Sequence, residues 1–463
     1  MKHLKIIAAM LLCLAMAVTL FACSEGSSGS NRSGKNHSST NAGMHETNGY
    51  IRQQAPLIFN HEQGKIIYKD RVVSTFGGVN SMGYSLDCSV MAFDDFGPLY
   101  LFVDGEVTLL ADNAEEYHAL SADGTAIAYI NEDQQIHLYD ISSKSETIYE
   151  LSTSKNPEFV IAPDGKSVAY YEDQTGNLVL CKYEEQITID QGEFELLALS
   201  ADGEQIYVID KTDGTLLSYD DSGRKSVLSN SNDSLDNICF NADHTQVLYC
   251  QGDVTFISTN GEPGGKVCDQ KLTCICAMEP LGSTLPVWDL FGKYYQGDDN
   301  SLWRIEEDPT ESYQLGSDLT YGISNFDIFY VNYSDCDGNQ QILDIKREEH
   351  IELPTIPDAS IEGILVDPYR MDYYYVTEDG LYSFDGNNGN LITNADINSI
   401  AFHPDCSGIF YIVNEQLYRY DGNQNLPIAS NVSEIAQIGD YLYAFCDDTI
   451  GYINCSNEWI EID

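Results

Sequence analysis

This chain holds many residues that could do chemistry, but few stand at the spacings that chemistry requires. Its nine histidines (His3, His37, His45, His61, His118, His137, His244, His350 and His403) form no pair at metal-ligand or triad spacing. "SDCDGNQQ" (334–341) alternates side-chain oxygens at Asp335, Asp337 and Asn339, as the start of a calcium loop does. It lacks the closing glutamate of the twelve-residue loop, so a plain hairpin turn competes with calcium there. In "CDQKLTCIC" (268–276), Cys274 and Cys276 would share a strand face, but no second pair or histidine follows at zinc spacing. No Gly-x-Ser-x-Gly elbow occurs, so a serine nucleophile of that type has no seat. These residues predict no catalytic set, no metal site and no cofactor. The 31 tyrosines could stack on sugars, but Tyr139, Tyr382 and Tyr418 fall in repeated strands, which favours packing between elements.

One phrase does recur. "LSADGTAIAYI" (120–130) returns as "IAPDGKSVAYY" (161–171) and "LSADGEQIYVI" (199–209). The residue before the Asp marks a slot at Leu86, Ala122, Pro163, Ala201 and Ala242, and again at Pro368 and Pro404. Consecutive slots stand 36 to 41 residues apart, and the long gap from 242 to 368 has room for two hidden units. One lies near Asn325 and one within 275–310, and a last unit lies near Gly439.

The Asp could bind a ligand, or the phrase could be a corner. Proline suits the second position of a type I turn, and glycine suits a fourth position with positive φ. A turn therefore accounts for Ser121, Asp123 and Gly124, for Pro163, Asp164 and Gly165, and for Asp202 and Gly203 together. The same reading covers Asp243, Pro404 and Asp405. It predicts three-residue hairpins with a glycine bulge. At the glycine slot His244 is tolerable, whereas Cys88 and Cys406 imply strain or a variant turn.

After each turn comes a strand such as "AIAYI", then a polar gap, a second strand such as "IHLYD", and a weaker third such as "ETIYELS". The period is two, and no helical stripe competes. Ten units of about 40 residues predict an all-β chain, a β-propeller of about ten blades. The propeller would run over 57–463, as one large ring or as two abutting rings split near 275–300.

The units resemble TolB-like and WD-repeat-like propeller repeats, whose phrase is Ser-Pro-Asp-Gly followed by a strand ending in an aromatic residue. Residues 161–171 match best, and the resemblance spans roughly 80–270 and 360–463. It implies the fold and says little of function. Propellers of prolyl-oligopeptidase-like peptidases use similar repeats, but those enzymes carry their nucleophile on a separate domain for which this chain leaves no room.

The first 22 residues hold Lys2 and Lys5 and then an apolar run from Ile6 to Phe21, which predicts a secretory signal. The run ends in "LFAC", which resembles the lipobox of bacterial lipoproteins. That resemblance implies cleavage before Cys23 and acylation of its thiol and amine. Residues 23–56 would then be a lipid-anchored flexible linker, since 24–49 are mostly Ser, Gly and Asn. The expected place is the outer face of the bacterial cytoplasmic membrane.

A formal net charge of −50 argues against nucleic acid as a partner. It reads either as a solubilising surface or as attraction for cations or a basic partner. Eleven cysteines follow Cys23, too irregular for a disulfide framework. Two functions follow as expectations. The first is a non-catalytic, surface-anchored propeller binding a protein, peptide or glycan on a ring face. The alternative is a cell-surface polysaccharide lyase or hydrolase with its site on the propeller axis.

Overall fold

A computed structural model describes residues 57–462, apart from 60–64, 77–80, 86–88, 153–156, 230–233, 275–293, 307–308, 322–329, 339, 345–348, 353–360, 368–369, 371, 385–388, 404–405, 439–440, 447–448 and 455. The described residues form antiparallel meanders, with one short 3-10 turn at Pro309–Glu311. Ten of these are four-stranded blades. We number them 1 (81–111), 2 (114–150), 3 (158–191), 4 (194–227), 5 (235–268), 6 (272–316), 7 (317–352), 8 (361–393), 9 (399–430) and 10 (434–461). Blades 6 and 7 share the long strand Tyr313–Tyr321. The protein is a β-propeller. Cys23, the signal and the tether lie outside the described residues.

An eleventh sheet was missed by the repeat count. Leu57–Phe59, Lys65–Tyr68 and Arg71–Thr75 form a three-stranded meander ahead of blade 1. No Asp-Gly phrase precedes it, so its unit has no turn signature.

Within a blade the strands pair in chain order. First strands of consecutive blades lie against each other, as 158–161 does on 194–199 and 399–403 on 434–438. Fourth strands are the most exposed, and Leu109, Ile148, Val227 and Leu391 on them face solvent. First strands are therefore innermost and fourth strands form the rim.

The middle strands depart from the expected alternation. Ala126–Ile130 and Ser167–Glu172 are buried at every residue. A blade pressed between two neighbours hides both faces, so its second strand becomes a continuous apolar run. Among the described residues, apolar clusters cross every junction of consecutive blades except that between blades 7 and 8. Ala128, Ile136 and Tyr149 of blade 2 pack with Val168 and Tyr170 of blade 3. Cys239 and Leu248 of blade 5 pack with Leu272, Tyr295 and Ile305 of blade 6. The first and last sheets also share a cluster, in which Ile66, Ile67 and Tyr68 meet Phe93 and Phe102 of blade 1 and Tyr443 and Ile450 of blade 10. At roughly 1.5–3 kcal/mol per buried large side chain, these junctions are the main cohesive element of the array.

Tyrosine supplies much of that burial. Tyr207, Tyr219, Tyr249, Tyr295, Tyr411 and Tyr443 are among the largest fully buried side chains. Of the three tyrosines named from the sequence, Tyr382 stacks on Tyr375 with ring centroids 5.0 Å apart, and Tyr418 stacks on Tyr411 at 5.6 Å. Tyr139 packs against the cluster between blades 1 and 2.

Candidate functional site

In a meander, alternate connections fall at opposite ends of the strands. The first and third turns of every blade therefore share one ring face. The second turns and the links between blades share the other.

The repeated phrase builds the first face. Gly124, Gly165 and Gly203 donate their amides to the carbonyls of Ser121, Ala162 and Ser200, closing turns with φ of 70°, 70° and 65° at the glycine. Asp123 Oδ1 accepts the amide of Thr125 at 3.0 Å, and Asp164 Oδ1 accepts that of Lys166 at 3.2 Å. Asp202 Oδ1 takes the amide of Glu204, and Asp243 Oδ1 that of Thr245, each at 3.0 Å. The loops hold four residues rather than the expected three, because Ser121 N bonds Ala126 O and Ser200 N bonds Gln205 O. Serine reinforces the closure without setting its length, since Ala162 N bonds Ser167 O across the same four-residue loop in blade 3. Ser121 Oγ takes the amide of Ala126 and Ser200 Oγ that of Gln205, so one main-chain bond of the closing pair becomes a side-chain bond. Pro404 and Asp405 lie outside the described residues.

These corners also join the blades. The amide of Asp123 donates to the Pro163 carbonyl of the next blade at 3.1 Å, and that of Ala201 donates to Asp243 O at 2.8 Å. A β-carbon on Gly165 would stand 2.7 Å from Ala126 Cβ of the preceding blade, and one on Gly203 would stand 2.5 Å from Ser167 Oγ. The glycine is needed for its φ and for this close approach. His244, at φ 54°, fills the same slot in blade 5 and places Nδ1 2.9 Å from Leu199 O of blade 4. Burial pushes its pKa down to about 4.

The opposite face differs in charge. Each second hairpin with described residues carries a carboxylate, as in "DDFG" (94–97), "NEDQ" (131–134), "DKTDG" (210–214), "GDDNS" (297–301), "SDCDG" (334–338) and "TEDG" (377–380). Glu132, Asp133, Asp173, Asp213, Asp253 and Asp299 are exposed. Among the described residues the basic side chains at this end are Lys65, Lys211 and Lys271. Lys211 stands 3.6 Å from Glu158, and Lys271 stands 2.8 Å from Asp236. Lys166, Arg224, Lys266, Arg370 and Arg419 lie at the other end, and Lys225 starts there but its charge reaches Asp213. Sequence reading found the acidity but not its segregation. The signal was legible, since the second polar gap of each unit holds Asp or Glu.

Among the described residues, two carboxylates on this side are buried, Asp94 and Glu172. Glu172 accepts the amide of Ser152 at 2.9 Å, along with the hydroxyls of Ser152 and Thr175 and the Asn177 amide. Burial pushes its carboxyl up, but these hydrogen bonds outweigh that and hold it below the usual range. It fastens the link from blade 2 to the second hairpin of blade 3.

Toward the axis the structure brings together Ser81, Asp94 and His118, which the sequence keeps apart. Ser81 Oγ donates to Asp94 Oδ2 and lies 3.3 Å from His118 Nδ1. Burial lowers the His118 pKa, against the opposing pull of Asp94. The order is wrong for nucleophilic catalysis. The hydroxyl proton points to the carboxylate, whereas an activated serine gives its proton to the histidine. Burial raises the pKa of Glu434, at the start of the first strand of blade 10.

The remaining candidates are held by local partners. His137 lies 2.8 Å from Glu146 and stacks on Tyr129, and His350 bonds the Tyr333 hydroxyl at 2.7 Å. Asp335 accepts the amide of Asp337 and the Gln341 side chain, so both its oxygens serve the hairpin. Cys181, Cys239, Cys250 and Cys268 are buried thiols, and burial raises Cys181 to about 12. A shallow depression of about 250 Å³ lies against the rim of blade 4, lined by Asp210, Asp213, Lys225 and Val227 among others. No group of three metal-ligating side chains converges among the described residues. No helix of the described residues is long and apolar enough to cross a membrane.

No family model matches the sequence, and no curated protein matches it. Solved structures do align. A dihydro-heme d1 dehydrogenase, NirN, is 11% identical over 65% of this chain and 73% of its own, with a TM-score of 0.36. TolB from Acinetobacter baumannii is 16% identical over 44% of this chain and 60% of its own, at 0.29. The β-propeller domain of Cps50 (Swd1) from Myceliophteria thermophila is 14% identical over 56% and 92%, at 0.32. At these scores none of the three bears on function; the chain is a propeller on the pairing of its own strands.

Proposed function

We propose that this protein is a non-catalytic, lipid-anchored propeller that binds a basic protein or peptide segment on the face formed by its second hairpins. The segregation of charge carries the reading. Carboxylates spaced blade by blade, with two of three lysines already neutralised, make a field that attracts cations, steers encounter and falls with salt. A uniformly solubilising surface has no need to sort its lysines and arginines to the other end. The inner-strand cluster gives the lyase or hydrolase alternative no comparable support, because Ser81 is bonded to a carboxylate.

The test is binding of a Lys/Arg-rich peptide, read at low and at physiological salt. Glu132→Lys with Asp133→Lys should weaken it about tenfold, or 1.4 kcal/mol. The same reversal at Asp202 and Glu204 should change it little. Equal losses on both faces, or binding indifferent to salt, would overturn the assignment.

Anchoring rests on "LFAC" and the Ser/Gly-rich linker. Cys23→Ala should release the protein or leave an unprocessed precursor, and membrane retention of a processed but unlipidated chain would sink the idea. We read 57–463 as one ring. Two contacts support this: the cluster joining blades 5 and 6 across 275–293, and the one joining the first sheet to blade 10.

A further inference from the structure

One side chain on the acidic face breaks two ordinary rules at once. Phe96, in the second hairpin of blade 1, is 71% exposed and stands at φ 53°. A bulky residue rarely adopts positive φ, and asparagine or glycine would fit that corner without strain and without showing a ring to water. The other large apolar side chains that lie exposed sit on fourth strands or, as Tyr183 does, in a third turn. Among the described residues, none makes a ring or cation contact with Phe96. Its hairpin is nonetheless held firmly. The Phe96 amide donates to Asp94 Oδ1 at 3.1 Å, and the Asp95 amide donates to Pro98 O at 2.9 Å. The Ala114 amide donates to Gly97 O at 2.8 Å, which ties the hairpin to the link into blade 2. On that link, Asn113 donates to Glu132 of the second hairpin of blade 2. Phe96 therefore stands next to Asp95, on a tied pair of hairpins that also carries the exposed Glu132 and Asp133.

We infer that Phe96 is the seat of an arginine side chain from the bound basic segment. This rests on the acidic-face reading above and adds a selectivity that the charge alone does not supply. A guanidinium is planar and weakly hydrated, so it lies on an aromatic face and still aims N–H groups at carboxylates beside the ring. The ammonium of lysine is compact and strongly hydrated, and gains less from the same ring. Phe96 offers the ring, and Asp95, Glu132 and Asp133 the carboxylates. The same face already holds a cation of the chain in such an arrangement. Lys211 lies 5.6 Å from the centre of the Tyr171 ring and 3.6 Å from Glu158 Oε1. The fixed hairpin leaves little of the ring's freedom to be lost on binding. The acids draw in any cation, and the ring sorts arginine from lysine.

Two peptides of equal length and charge, one built with arginine and one with lysine, test this on the full chain. The parent should bind the arginine peptide roughly threefold more tightly. Phe96→Ala should bring that ratio close to one and leave the salt dependence unchanged, whereas Phe96→Trp should keep the preference. Phe96→Asn, which suits φ 53°, should also remove it, with Tm held or raised, so that a damaged fold is not the cause. Glu132→Lys with Asp133→Lys should weaken both peptides. No preference in the parent, or one that survives Phe96→Ala and Phe96→Asn, would overturn the seat. So would an equal loss of both peptides in Phe96→Ala, which would make the ring a general apolar contact. In each of those cases the acidic-face reading stands if the charge reversal still weakens both peptides. A reversal that weakens neither sinks that reading, and the arginine seat with it.

Discussion

The two ring faces are both made of acidic hairpins, yet they set the carboxylate in different surroundings. On the Asp-Gly face, Asp123, Asp164, Asp202 and Asp243 each turn an oxygen back onto an amide two residues ahead. Lys166 and Arg370 stand among them. On the other face Asp133, Asp253 and Asp379 lie exposed at the tips of hairpins. The same residue type at a similar recurrence stands among basic side chains at one end and among few at the other. The local turn is not the cause, since Asp94, Asp210, Asp213, Asp299 and Asp335 on the second hairpins also accept the amide two residues ahead. What differs is that the Asp-Gly corners also bond the neighbouring blade.

The sharpest way to break this contrast is at the corner glycines. Gly165→Ala forces a β-carbon to positive φ and against Ala126 of the preceding blade. It should cost about 3 kcal/mol by denaturant unfolding, whereas Gly214→Ala, at φ 74° with open space around it, should cost about 1 kcal/mol from φ alone. Equal costs would mean that the corner does not press on its neighbour.

Glu172 tests the contrast from the other side, as a carboxylate on the acidic end that behaves structurally. Glu172→Ala strands the Ser152 amide and several side-chain donors, and about 2–3 kcal/mol should be lost. Asp173→Ala, next to it and exposed, should leave stability unchanged. A loss at Asp173 comparable to that at Glu172 would erase the distinction.

His244 adds a pH dependence confined to the Asp-Gly face. Its pKa falls from 6.5 to about 4 on folding, so the unfolded chain takes up a proton that the folded one refuses. Stability is therefore full above pH 6.5, falls as pH drops toward 4, and levels off below. The side chain keeps partial exposure, so the expected loss is about 2 kcal/mol, less than the full shift implies. His244→Gly, which suits φ 54°, should remove this slope relative to the parent in Tm measured from pH 7 to 4.

The smallest effect concerns the Asp itself. Asp202→Ala should cost about 1 kcal/mol, and Asp164→Ala should add to it independently, since the two sit in separate blades. Calcium tests the rival idea of a cation-binding loop. A melting-temperature rise with calcium in the parent, absent only in the Asp variants, would overturn the turn reading.

Much of the fold was legible because propellers repeat. Slots at Ala122, Pro163, Ala201 and Ala242 recur at a blade's length, and turn chemistry at Asp-Gly is local enough to read from four residues. Leu57–Thr75 escaped notice because its unit shows no such corner, although "LIFNHEQGKIIYKD" carries the strand pattern. The candidate site was harder. The acids of "NEDQ", "DKTDG" and "GDDNS" were visible, but their gathering on one face depends on which end of the blade each turn occupies. Ser81, Asp94 and His118 gave no signal, since they come from three strands of two blades.

The sequence alone determined the strand content, the repeat length and the corner type, because each depends on contacts a few residues apart. Tertiary structure decided which second strands are buried on both faces and which glycine must clear a neighbouring blade. It also separated a field carboxylate such as Asp133 from a buried fastener such as Glu172. Those outcomes depend on what lies across a junction some 40 residues away, and a local pattern cannot encode a surface that only the packed neighbour provides.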